Sequence, residues 1–248
     1  MEPSPIYITP FPQTPAPESE PVTDPTPLAT RPVYDPGTLV PYIVQSGDTI
    51  PALAAHFNTT IPEILEANPE IPQDTTTLTP GETLQIPIYY KALWGNPFQI
   101  LPDALFINGP AQLDFDTRAF VDAHPGWLKD YSVLAGDETR RGGDVVDYVA
   151  RNYSVSPRLL LTLIEYQAQG LSAATIPDDL ERYPLGYEDQ FHVGLYMQMN
   201  WAANLLNNGY YSWRIGEFDT ITRLDGSIEH PDPWQNAATV ALQNYFAG

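Results

Sequence analysis

Proline placement divides this chain before any other feature does. Eleven of its 27 prolines fall within residues 1 to 36 of 248, interleaved with Thr, Ser and Glu, as in Thr14-Pro15-Ala16-Pro17-Glu18. Proline lacks a backbone N–H and fixes φ, so it can join neither a helix interior nor a central sheet ladder. A segment of this composition cannot bury enough apolar surface to offset the entropy lost on ordering. Residues 1 to 39 are therefore expected to be a disordered Pro-rich tether, extended and partly polyproline-like, of the kind that lets a module reach a distant surface. Folded structure is to be sought from residue 40 onward, in one or two domains.

From there the pattern becomes short and regular. Tyr42-Ile43-Val44 alternates as a brief strand, and Gly47-Asp48-Thr49 turns the chain. Thr49 is placed to N-cap a helix carrying Leu53, Ala54 and Phe57 on one face. A second helix starts at Ile61 with Pro62 in its first turn and ends at Asn68-Pro69, because proline disfavours helical geometry in the residue before it. Thr79-Pro80-Gly81-Glu82 then turns into the strand Thr83-Leu84-Gln85-Ile86-Pro87. The order is strand, helix, helix, strand.

Those residues resemble the LysM module throughout its length, over residues 40 to 88. The resemblance implies a βααβ fold that binds N-acetylglucosamine-containing glycans such as peptidoglycan or chitin. It also implies a shallow groove between the loop after the first strand and the loop after the second helix. By position, that puts Gly47, Asp48, Thr49, Ile50, Asn68, Pro69 and Ile71 at the sugar. The residues themselves agree: a tight glycine turn exposes backbone N–H and C=O groups that suit uncharged acetamido groups. The same glycine and asparagine also serve simply to make turns and cap helices.

Residues 89 to 113 form a connector rich in proline and aromatics, including Tyr89, Tyr90, Trp94, Phe98 and Phe106. A flexible linker would be polar, so these rings are expected to pack on a domain. Residues 114 to 248 read as a mainly helical domain with one small β-hairpin around Asp225-Gly226. Near-helical apolar spacing predicts a helix over 114 to 134, interrupted at His124-Pro125-Gly126. Further helices are expected over 144 to 153, from Ser156 with Pro157 at its first position, over 193 to 207, and over 236 to 246. The run Leu159-Leu160-Leu161-Thr162-Leu163-Ile164 predicts a buried central helix. The fold class is thus α+β and multidomain.

Glu165 ends that apolar run, where poor solvation would raise a carboxyl toward the range of a general acid. From Val155 to Glu165 the sequence resembles the helix that carries the catalytic glutamate in soluble lytic transglycosylases and goose-type lysozymes. Gly194-Leu195-Tyr196-Met197-Gln198-Met199 resembles their Gly-Leu-Met-Gln segment with one residue inserted. The resemblance implies a lysozyme-like domain cleaving glycan through Glu165, with Tyr196 and Gln198 on the saccharide. Two features depart from it. Tyr166 stands where a serine usually follows the glutamate, and Ala-Tyr-Asn-Ala-Gly has only an echo in Asn236-Ala237-Ala238.

Tyr183-Pro184-Leu185-Gly186-Tyr187, Trp201-Ala202-Ala203-Asn204 and Gly209-Tyr210-Tyr211-Ser212-Trp213-Arg214 also resemble bacterial wall proteins in which such a helical domain precedes a lysostaphin-like zinc metallopeptidase. The alternative function is therefore a non-catalytic surface scaffold, or the targeting portion of a longer peptidoglycan metallopeptidase. Tyr187, Tyr196, Trp201, Tyr210, Tyr211 and Trp213 are candidates for a saccharide cleft, although their helical spacing also suits a core.

Composition narrows the classes. Lys plus Arg total 11 against 31 Asp plus Glu, a net charge of −20, which argues against nucleic acid and anionic membranes as partners. The chain has no cysteine, and its four histidines, His56, His124, His192 and His230, stand far apart. No metal site and no cofactor are expected. No apolar run is long enough to span a membrane. Peptidoglycan or a related glycan is the expected partner, at an extracellular or cell-wall location in a bacterium.

Overall fold

The computed structural model describes residues 33 to 247 except Thr76 and Leu93. Of the tether expected over residues 1 to 39, residues 1 to 32 lie outside the described residues, and Thr38 and Leu39 belong to the first strand. Strand β1 (Thr38–Ile43) pairs antiparallel with β2 (Thr83–Ile88), with Val40 opposite Ile86 and Tyr42 opposite Leu84. Between them lie helices α1 (Ile50–His56) and α2 (Ile61–Ala67). Strand alternation sends Val40, Tyr42, Leu84 and Ile86 inward, where they meet Leu53, Phe57 and Ile64 from the helices. Thr49 and Thr60 cap the two helices as their side chains require, and Glu63 completes a capping box with Thr60.

The rest of the chain runs through α3 (Asp103–Phe106), α4 (Thr117–Asp122), the hairpin β3 (Ser132–Ala135) and β4 (Glu138–Arg141), then α5 (Gly142–Tyr153), α6 (Pro157–Ala168) and α7 (Leu195–Arg214). A second hairpin of β5 (Ile221–Thr222) and β6 (Ile228–Glu229) precedes α8 (Ala237–Tyr245). The class is α+β, with eight α-helices and three two-stranded antiparallel sheets among the described residues. The β5–β6 hairpin turns at Asp225-Gly226 as expected, with Gly226 at φ 80°.

Three local expectations need correction. Residues 114 to 134 are not one interrupted helix: Asp116 caps the short α4, a 3-10 turn follows at Trp127–Lys129, and the chain then extends into β3. The apolar residues there belong to separate elements that converge on one core, which imitates helical spacing. Helix α6 is not buried all round, because Arg158, Thr162 and Tyr166 fall four residues apart on one exposed stripe. Helix α7 continues past 207 to Arg214, since Gly209 is no stop there. A Cβ at Gly209 would lie 2.9 Å from the Cα of Ala241, so the glycine lets α8 lie close against α7.

The connector's aromatics divide: Phe98 and Tyr90 are exposed, whereas Phe106 packs inward. Phe106 is fully buried in the helical core and stacks on Tyr210 at 4.6 Å. The Asp103 carboxylate accepts from the Ala238 N–H (2.9 Å) and from the Asn236 Nδ2 (2.6 Å), capping α8 from a distance in sequence. Residues 33 to 248 cluster as one compact unit holding two cores, one per domain.

Candidate functional site

The turn after β1 is built by Gly47 at φ 87°, a conformation that favours glycine. Asp48 points inward: one carboxylate oxygen accepts from the Tyr42 hydroxyl and from the Gln45 N–H, both at 2.7 Å. Burial pushes its carboxyl up, against the lowering effect of these hydrogen bonds and of Arg214. The Thr49 hydroxyl accepts from the Ala52 N–H at 3.3 Å. Ile50 is buried in the core of the βααβ module. The turn therefore offers a ligand its backbone, while the Asp48, Thr49 and Ile50 side chains serve the fold.

The same holds for Asn68, which is 1% exposed. Its Nδ2 donates to the Ile64 and Gln85 carbonyls, and its Oδ1 accepts from the Gln85 N–H, tying α2 to β2. Beyond it, Pro69 is exposed and Ile71 half-buried, at the start of the loop into β2. That loop encloses an open cavity of about 450 Å³, bounded by Glu70, Ile71, Thr75, Thr77, Thr79 and Glu82 among others. Of the residues expected at a sugar, the cavity holds Ile71 and none of 47 to 50. The threonines were missed by sequence reasoning, although Thr75-Thr76-Thr77-Leu78-Thr79 is a visible signal: a hydroxyl-rich run between two structured elements.

In the helical half, Gln198 is fully buried. Its amide donates to the carbonyls of Tyr187 (2.7 Å) and His192 (2.6 Å) and accepts from the N–H groups of Leu185 (3.2 Å) and Tyr187 (3.3 Å). Gln198, expected on a saccharide, thus has its side chain engaged with the loop before α7. Tyr196 is half-buried beside Tyr148, with ring centres 6.2 Å apart. Tyr210 and Trp213 are core residues, whereas Tyr187 and Trp201 stack in parallel at 4.3 Å on the wall of a shallow pocket.

Glu165 borders a separate, largely apolar groove of about 390 Å³ with Phe115, Phe120, Arg158 and Tyr166. Both carboxylate oxygens are engaged. One accepts from the Leu171 N–H at 2.8 Å, the other from the Ser172 hydroxyl at 2.6 Å, which fastens the chain after α6 to the helix end. Among the described residues no cluster of three or more His, Asp and Glu could hold a metal. No helix among them is long and apolar enough to cross a membrane.

The two domains meet through a specific surface. His56, at the end of α1, stacks on Trp213 of α7 at 3.7 Å and 10°. Its Nε2 donates to the Trp213 carbonyl at 2.8 Å; since a carbonyl only accepts, that nitrogen carries the proton. Trp234 packs edge-on against Phe57 of the LysM core at 5.0 Å, and Lys91 pairs with Asp219 at 2.5 Å. The Arg214 guanidinium lies on Gly47, where any Cβ would collide with it.

A βααβ module with a threonine-lined loop cavity is thus packed on a mainly helical domain. The LysM domain model matches residues 42–87, which implies binding of N-acetylglucosamine-containing glycans such as peptidoglycan. LysM domains occur in cell-wall and extracellular proteins. The model of the LasA N-terminal domain matches residues 99–248, more than half of the chain, and the chain belongs to that family. The match assigns the helical half to this family and leaves lysozyme-like activity unaddressed. Neither a curated protein nor a solved structure matches the chain.

Proposed function

We propose that this protein holds itself to a bacterial cell wall through its LysM module, and that the helical half is a non-catalytic domain of a peptidase-related wall protein. The observation that carries the first part is the open cavity beside Ile71, whose threonine hydroxyls and glutamate carboxylates suit the hydroxyl and acetamido groups of an uncharged aminosugar. By the LysM resemblance, the turn at Gly47 and Asp48 is the other side of the ligand site. The second part is supported by membership in the LasA N-terminal domain family. It is supported too by Glu165, whose two oxygens are committed to the Leu171 amide and the Ser172 hydroxyl. A general acid must bring its proton within hydrogen-bond reach of the glycosidic oxygen. Glu165 instead acts as a tie between α6 and the following loop.

Sedimentation of the whole chain with insoluble chitin and peptidoglycan tests both parts. The protein is expected to co-sediment with both, and retention on uncharged chitin should be the same at about 0.15 M and about 1 M salt, because Coulomb attraction contributes nothing there. Mass spectrometry of the peptidoglycan supernatant should show no released fragments from wild type or from Glu165→Gln. Absence of retention on either polymer contradicts the binding reading. Fragments released by wild type and lost in Glu165→Gln would make Glu165 catalytic.

A further inference from the structure

The contact between Arg214 and Gly47 adds a group from the helical half to the LysM ligand loop. Arg214 is the last residue of α7, and its guanidinium rests on the Gly47 backbone, so closely that a side chain at 47 would collide with Nη2 and the guanidinium carbon. It is half-exposed, as the turn beneath it is exposed. One nitrogen, Nη1, donates to the buried Tyr210 hydroxyl at 2.9 Å, which fixes the fork in place. The Tyr210 ring, itself held by stacking on Phe106, lies 5.4 Å from the guanidinium carbon.

Arg214 makes no ion pair at contact distance, although its charge reaches Asp48 and works against the burial that pushes that carboxyl up. Among the described residues no carboxylate lies within 4.0 Å of it, and the nearby Asp48 spends its bonded oxygen on Tyr42 and Gln45. Of the eight described arginines, Arg158 and Arg182 likewise have no carboxylate within 4.0 Å; they lie over the rings of Phe115 and Tyr183. Arg118, Arg140, Arg141, Arg151 and Arg223 each pair with at least one carboxylate. The negative end of α7 accounts for a cation at its C-terminus. It does not account for the guanidinium being laid across the ligand loop of the other domain.

We infer that Arg214 is a specificity residue of the LysM site, receiving a carboxylate carried by the glycan beside an N-acetylhexosamine. The inference rests on the glycan-binding reading above. A planar guanidinium with free N–H groups matches a carboxylate in a two-pronged arrangement. In peptidoglycan that carboxylate is the lactyl group of muramic acid or a free carboxylate of the stem peptide; chitin has neither. The composite site therefore selects wall glycan over neutral polymers of the same sugar. It also gives the packing of the two cores into one unit a role, since a flexible link would not hold Arg214 on the turn.

Calorimetric titration of the whole chain with three ligands tests this. They are chitotetraose, an N-acetylglucosamine–N-acetylmuramic acid tetrasaccharide with free lactyl carboxylates, and that tetrasaccharide bearing stem peptides. Wild type should bind one or both carboxylate-bearing ligands about fivefold more tightly than chitotetraose, and which one reveals the source of the anion. The ratio should fall to about one in Arg214→Gln, and in wild type at about 0.5 M salt, a readout independent of the variant's folding. Arg214→Lys should retain part of it. Chitotetraose binding without any preference in wild type, or a preference that survives Arg214→Gln, overturns the inference and leaves the glycan reading standing. A several-fold gain in chitotetraose affinity in Arg214→Gln would make the guanidinium a lid instead, and likewise overturns it. If wild type binds none of the three, the glycan reading fails together with it.

Discussion

Replacing Gln198 by leucine is expected to lower the unfolding free energy by about 4 kcal/mol. The leucine keeps the volume but leaves four backbone groups without their partner, one bond buried and three part-buried: the N–H groups of Leu185 and Tyr187 and the carbonyls of Tyr187 and His192. Each unsatisfied buried group costs about 1 to 3 kcal/mol, reduced where the loop relaxes to let water in. Urea unfolding of the two proteins measures the difference. Chitin retention by the folded variant should equal that of wild type, because Gln198 lies in the core of the other domain. Loss of less than about 1 kcal/mol, or a selective loss of binding, would place Gln198 at a ligand after all.

Acidification is expected to loosen the joint between the domains. Burial lowers the His56 pKa from 6.5 to about 4, the hydrogen bond to the Trp213 carbonyl opposing it. The folded protein therefore keeps His56 neutral at pH values where the unfolded chain binds a proton. Stability from this group is fully present above pH 6.5, is lost as pH falls through the window from 6.5 to about 4, and changes no further below it. The loss is about 3 kcal/mol. Carboxylates titrate in part of the same window, so the measurement is a difference: wild type against His56→Gln, whose amide can donate to the Trp213 carbonyl and never charges. Denaturant midpoints at pH about 7 and about 4 should converge for the two proteins as pH falls. Parallel curves would mean that His56 is solvated in the fold.

The LysM half was legible because its rules are local. Thr49, Thr60 and Pro62 mark helix starts, Asn68-Pro69 marks an end, and Gly47 and Gly81 mark turns; each acts over four residues or fewer. The helical half was legible where the same local signals occur, at Ser156-Pro157 and at Asp225-Gly226. It misled where partners are distant. The rings of residues 115 to 131 have helical spacing yet serve different elements, and the extension of α7 beyond residue 207 to Arg214 rests on packing against α8. At the site, sequence pattern located the two loops but not the use of each side chain. Asn68, Ile50 and Gln198 are polar or apolar residues in suggestive places, and only the partners supplied by Gln85, Phe57 and the 185 to 192 loop show that they face inward. Arg214 at the LysM turn could not be anticipated, since it stands 167 positions from Gly47 and depends on how the domains pack.

The most direct test of the central claim is amide chemical-shift mapping on the whole chain titrated with chitotetraose. Saturable shifts are expected only at residues 45 to 50 and 69 to 79, with Arg214 responding at their edge and the face of α6 around Glu165 silent. Shifts centred on Arg158, Glu165 and Tyr166 with the LysM loops unmoved, or no shifts at millimolar sugar, would contradict that claim.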